Sequence, residues 1–208
     1  MFFLRLQRLC APLPPSVVAT GVLDRLFQWL DLLGIGDLYE GISNALTPGL
    51  RRLTEAERQE VFPVFGRSIP YDRVRIDERA HLGPRRYRFC YVSFYTINSW
   101  GPIALPTLAH ELVHVWQYHH HGAAYIPRAL AAQHTAAGYN YGGLAGLRRA
   151  KCLLDFNYEQ MADIIEDAYR IGCGYSAQWI SGGGKATDLI HFQPYLHELR
   201  SAGPTTSV

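Results

Sequence analysis

His110, Glu111 and His114 form an H-E-x-x-H arrangement inside "LAHELVHVWQYHHHG", Leu108 to Gly122. On a helix, four residues turn through about 400°, a net of about 40°, so both imidazoles share one face about 6 Å apart. That pair can bind one zinc ion. Glu111 is too short and wrongly angled to join as a ligand. It can instead reach a water beside the metal and act as general base. The alternative is two exposed histidines and a solvated glutamate. Leu105, Leu108, Leu112 and Trp116 argue against it, because they give the same helix a core-facing side.

A catalytic zinc site needs three protein ligands and one open position. His120 lies ten residues after His110, the spacing of the metzincin motif H-E-x-x-H-x-x-G-x-x-H. The glycine that breaks the helix in that motif is here Gln117, and no break signal precedes Gly122. On an unbroken helix His120 falls about 120° around from His114 and about 9 Å further along, out of reach of the same ion. His119, His120 and His121 are expected as helix-end residues, favoured by the negative end of the dipole.

A third ligand is expected further on, in "FNYEQMADIIEDAYR". Asn157 and Gln160 form a capping box, and Phe156 with Met161 a hydrophobic staple, so a helix starts there and runs to near Gly172. Glu159 falls in its first turn, and Asp163 follows on the same face. The glutamate can bind zinc, and the aspartate can accept the N–H of a ligand histidine and fix its tautomer. The alternative is a solvated acidic face that also carries Glu166 and Asp167. Donors for a tetrahedral oxyanion are sought among His134, Tyr139, Tyr141, Tyr175 and His191.

Other elements must hold these helices. Val22 to Leu33 has apolar residues at helical spacing before Gly34, and core packing is the expected fate of that face. Thr54 and Glu57 form a capping box that opens a helix ending near Gly66. "YDRVRI" reads as a strand, and "YRFCYVSFYTI", Tyr87 to Ile97, as a second, longer one. An extended peptide can add to that longer strand as a further strand. Pro106 opens the H-E-x-x-H helix, which runs to Gly122. Tyr139 to Gly146 reads as a loop. "SGGGKATD" has the outline of a phosphate loop, but Ala186 follows Lys185 and Trp179 takes the first glycine position, so it reads as a turn.

Three stretches carry a resemblance: "VFGRSIPYDRVRI", "LPTLAHELVHVWQY" and "LDFNYEQMADII". Together the chain resembles the zincin-type metallopeptidase domain attached to VgrG spike proteins of type VI secretion systems. That domain is related to the H-E-x-x-H core domain of extracellular contractile injection systems. The likeness spans roughly Leu33 to Tyr169, and the family's third ligand falls at the position of Glu159. The Glu-x-x-x-Asp spacing also resembles thermolysin-like gluzincins. The resemblance implies a zincin fold, a toxic or processing peptidase role, a secretion spike protein as carrier and a cognate immunity protein.

Composition sets limits. The 208 residues, 48% hydrophobic, can bury one core, and a net charge of +2 leaves no nucleic-acid or membrane footprint. Cys10, Cys90, Cys152 and Cys173 are scattered, which suggests neither a zinc knuckle nor a disulfide framework. The uncharged run from Leu9 to Leu23 holds three prolines and suits neither a signal core nor a membrane helix. Synthesis in the cytoplasm is therefore expected, with any export or delivery to a target-cell periplasm by another route.

The expected architecture is α+β and zincin-like: a small mixed sheet packed on the H-E-x-x-H helix and on a second, ligand-bearing helix. Residues 1–50 form a helical appendage, 51–200 the metallopeptidase domain and 201–208 a disordered tail. The expected function is zinc-dependent hydrolysis of peptide or protein substrates. Zinc is held by His110, His114 and Glu159, Glu111 is the base and Asp163 braces a ligand. The rivals are a zinc-stabilised module of a secretion apparatus without activity, and an amidase acting on cell-wall peptides.

Overall fold

A computed structural model describes residues 5–6, 8, 21–47, 49–80, 84–87 and 89–202. The calls on the run 9–20, on Cys10 and on the tail 203–208 lie outside the described residues. Among the described residues, the chain is mixed α+β, with nine α-helices and a three-stranded sheet. None of the helices is long and apolar enough to cross a membrane.

The helices in chain order are α1 (Gly21–Leu32), α2 (Ile35–Leu46), α3 (Glu55–Phe65), α4 (Pro84–Tyr87), α5 (Leu105–His121), α6 (Tyr125–Gln133), α7 (Gly143–Arg149), α8 (Tyr158–Gly172) and α9 (Gln193–Ser201). The strands are β1 (Arg75–Asp77), β2 (Tyr91–Ser93) and β3 (Thr96–Asn98). The sheet order is β1-β3-β2, with β1 parallel and β2 antiparallel to β3. Ile97 faces Ile76 on one neighbour and Val92 on the other, and β2 is an edge strand.

Local signals fix most helix starts. Thr54 and Glu57 close a reciprocal capping box at α3, and Asn157 and Gln160 do so at α8. α5 begins with Pro106 in its first turn and ends at Gly122, whose φ of 73° suits glycine. A side chain at Gly122 would also meet Asp31 Oδ2 at 2.7 Å. α5 is buried on nearly every side from Leu108 to Tyr118 and packs chiefly against α8.

Four expectations need correction. The stretch from Tyr87 to Ile97 is not one strand. It begins in α4 and then forms a hairpin, β2 and β3, turning at Phe94 with φ 60°. A bulky residue in that region is strained. Phe94 is held by ring contacts with Tyr39 and Tyr118, at 5.3 and 5.1 Å, and the next amide, of Tyr95, donates to Glu40 at 2.9 Å. No glycine or asparagine marks this turn, because aromatic packing makes it. "YDRVRI" is a 3₁₀ turn over Tyr71–Arg73 followed by β1, since Tyr71 turns into the core. The loop from Tyr139 gives way to α7 at Gly143.

The fourth correction concerns α1. Its apolar residues do not fill the core: Val22, Leu23, Leu26 and Trp29 are exposed, while Asp24 and Asp31 are buried. Ion pairs turn the acidic face inward. Asp24 binds Arg128 at 2.7 Å, and Asp31 binds Arg8 at 2.9 Å. These contacts join α1 to α6 and to the end of α5, where Arg8 Nε donates to the His119 carbonyl at 2.9 Å.

Candidate metal centre

α5 and α8 bring His110, His114 and Glu159 together. Glu159 Oε2 stands 3.6 Å from His110 Nε2 and 3.5 Å from His114 Nε2. One ligand atom from each of the three lies within 4.8 Å of the others, all buried. Glu159 Oε1 accepts from Gln133 Nε2 at 3.0 Å, whereas Oε2 is buried with no hydrogen-bond partner. An orphaned carboxylate oxygen between two imidazole nitrogens fits a divalent cation, and two nitrogens plus one oxygen is the donor set of a catalytic zinc site with an open position.

The tautomers follow from the neighbours. The Tyr158 carbonyl can only accept, so the Gln117 amide group that meets it at 2.8 Å is its NH₂. Gln117 therefore turns its oxygen to His114 Nδ1, 2.8 Å away, which makes Nδ1 the donor. The lone pair of His114 then lies on Nε2. On the other histidine, His110 Nδ1 lies 2.8 Å from Asp163 Oδ1 and 3.2 Å from Glu166 Oε2, two acidic neighbours that favour a proton on Nδ1 although neither is aligned as a hydrogen-bond acceptor. Its Nε2 is likewise left to bind a metal. Asp163 accepts from Trp179 Nε1, and Glu166 from Arg170 Nε at 2.8 Å.

Electrostatics follow from this packing. Burial opposes charge on Glu159, but the two imidazoles outweigh it and hold the carboxyl well below its usual range. Burial also opposes charge on His110, and its contacts with Asp163, Glu159 and Glu166 overcome it and raise the pKa. Glu111 moves the other way. Its burial raises the pKa against the pull of His110 and His114, and its Oε2 is buried without a partner.

The centre opens into a cavity of about 510 Å³, lined by His110, Glu111, His114 and Glu159 together with the edge strand β2, α6 residues such as Ile126, Ala129 and Leu130, and the aromatics Tyr39, Phe89 and Phe94. The Tyr125 ring stacks beside His114, centroids 6.2 Å apart. Its hydroxyl donates to the Val92 carbonyl at 2.9 Å and so ties α6 to β2. Cys90 also lines the cavity, its thiol pushed up to about 12 by burial and by Glu111. Cys90, Cys152 and Cys173 are all free thiols.

Of the five oxyanion-donor candidates, Tyr139 alone lines this cavity, its ring 6.1 Å from His110. Tyr141 is buried and donates to Asp167 at 2.7 Å. His134 is exposed, with Nδ1 2.8 Å from the Leu130 carbonyl. Tyr175 is 55% exposed, and His191 pairs with Arg148 at 3.1 Å.

His120 is outside the centre, as its helical angle requires: its Nε2 donates to the Ser68 carbonyl at 2.9 Å. The three terminal histidines do lie in the last turn of α5, but burial there works against the charge that the dipole would favour. Burial, with His120 and Arg8 adding to it, pushes His119 down to about 3. His121 is pushed down to about 4 by burial first. Burial therefore favours the neutral ring at both positions. The solvated acidic face is overturned, since Glu166 and Asp167 are buried.

Sequence reasoning gave Gln117, Gln133, Glu166 and Trp179 no role at the centre. Gln117 lies three residues after His114 and Glu166 seven after Glu159, both helical spacings that point to one face. Gln133 and Trp179 carry no local signal. No family profile, curated protein or solved structure matches the chain.

Proposed function

We propose that the chain is a zinc-dependent metallopeptidase of zincin type, with the His, His, Glu ligand set of gluzincins. The observation that carries this reading is Glu111. Its Oε2 is buried without a partner, and the residue lines the cavity together with the three candidate ligands. A site that only stabilises a fold has no use for such a group, whereas hydrolysis needs a base there.

His110, His114 and Glu159 would hold the ion, and the bound ion would supply Lewis acidity to the site. Glu111 takes a proton from the attacking water and passes it to the leaving amine. Its raised pKa suits both halves of that exchange. Asp163, Glu166 and Gln117 hold the two imidazoles in their binding tautomers. Tyr139, kept protonated by burial, is the donor best placed to meet an oxyanion. Edge strand β2 lines the cleft, so an extended peptide can pair with it alongside the ligands. The likeness to VgrG-attached domains extends the proposal to an effector carried by a contractile secretion system and countered by an immunity protein.

The test is metal analysis followed by hydrolysis of a peptide library. About one zinc per chain is expected. Glu111→Gln should keep the zinc and lose cleavage by a factor on the order of 100 or more. Protein that takes up no transition metal rules out the metalloenzyme. Undiminished cleavage by folded Glu111→Gln rules out the mechanism. Zinc retained with no peptide cleavage, but with release of cell-wall peptides, transfers the site to an amidase.

A further inference from the structure

α1 and α2 are charged inside and apolar outside. All four of their acidic residues form ion pairs: Asp24 with Arg128, Asp31 with Arg8, Asp37 with Arg5 and Arg73, and Glu40 with Arg73. Those pairs fix which face of each helix turns to solvent. On α1 the outward stripe is Val22, Leu26 and Trp29, continued by Leu33. On α2 it is Leu38, Ile42 and Leu46, at 60%, 51% and 74% exposure. Both follow the spacing of a helix face built to be covered.

We propose that this face joins two copies of the chain. Ten apolar side chains of α1, α2 and their connection are exposed. At about half exposure each, they leave on the order of 900 Å² open, against the ~800 Å² one partner gives to a standard interface. Charge favours a self-contact. A two-fold interface sets a patch against itself, so like charges on it would repel. Between Gly21 and Leu46 the only basic residue is Arg25, at the edge of the α1 stripe, and the acids are turned inward, so a self-contact sets at most one charge per copy against its like. A single arginine gives it little electrostatic attraction to an anionic lipid surface. Tyr39 belongs both to the exposed face and to the cavity wall, so the interface reaches the rim of the cleft. The inference does not depend on the peptidase reading.

Light scattering on the full chain tests it. Each copy is 23.5 kDa, and twice that mass is expected at concentrations of about 50 μM. Trp29→Glu and Leu38→Glu should each raise the dimer dissociation constant by a factor on the order of 100. Both side chains are exposed, so circular dichroism should report an unchanged fold. Ile190→Glu, at a residue 69% exposed outside this face, should leave the dimer intact. A single-chain mass throughout overturns the proposal. So does an open-ended range of masses, or a dimer that survives both charged variants. Flotation of monomer with phosphatidylcholine vesicles assigns the face to lipid and overturns it too.

Discussion

His114 Nδ1 donates to Gln117 Oε1 at 2.8 Å, one turn along the same helix. Gln117 occupies the place where a metzincin has its helix-breaking glycine. Here the residue keeps the helix whole and, through its amide, ties it to the Tyr158 carbonyl, the residue before Glu159. One side chain therefore sets the tautomer of one candidate ligand and ties the helix to the residue before another.

Gln117→Leu removes the acceptor and should weaken zinc affinity by about 10-fold. Gln117→Glu keeps an acceptor for His114 but loses the donor to Tyr158. It should lower stability while leaving affinity near that of the parent. Chelator competition and urea unfolding on both variants separate the two roles. Equal zinc affinity in Gln117→Leu and the parent would show that the tautomer is fixed by something else.

Glu159 and His120 both lie at spacings that zinc enzymes use. The orphaned Glu159 oxygen beside both imidazoles, and the engagement of His120 with Ser68, favour Glu159 as the third ligand. Glu159→Ala should weaken zinc binding by a factor on the order of 100, and Asp163→Ala by about 10. His120→Ala should change it by less than about 2-fold, since it touches no ligand. Chelator titrations decide the order, and a silent Glu159→Ala beside a damaging His120→Ala would reverse the ligand assignment.

His121 gives a dependence on acid. It is buried, with Nδ1 3.2 Å from the Tyr158 hydroxyl, and burial, then His120, then Arg128 push it down to about 4. The unfolded chain binds this proton near pH 6.5, earlier than the folded one. The stability contributed by the neutral ring is present above that pH and is lost as pH falls toward about 4. From about pH 7.5 to about pH 5 the loss is about 2 kcal/mol. Urea unfolding of metal-free protein at both pH values should give His121→Phe an acid loss smaller by that amount. An equal loss in variant and parent would place the sensitivity elsewhere.

The sequence by itself determined the two helices that meet at the centre, and the faces that carry the candidate ligands. H-E-x-x-H on one helix, the Asn157 and Gln160 cap and the Glu159 to Asp163 spacing are short-range features, set by helical geometry and by backbone groups within one turn. Glu166 was legible in the same terms, two turns beyond Glu159. Only the tertiary structure decided the rest, because the partners are remote in the chain. Gln133 reaches Glu159 across 26 residues, and Trp179 reaches Asp163 across 16. Phe94 turns the hairpin because Tyr39 and Tyr118 pack on it. The inversion of α1 has the same cause. Its periodicity marks an apolar face that core burial should claim, but Arg128, 104 residues from Asp24, and Arg8 claim the acidic face instead. A buried carboxylate must be paired, and that requirement outweighs the burial of a few leucines.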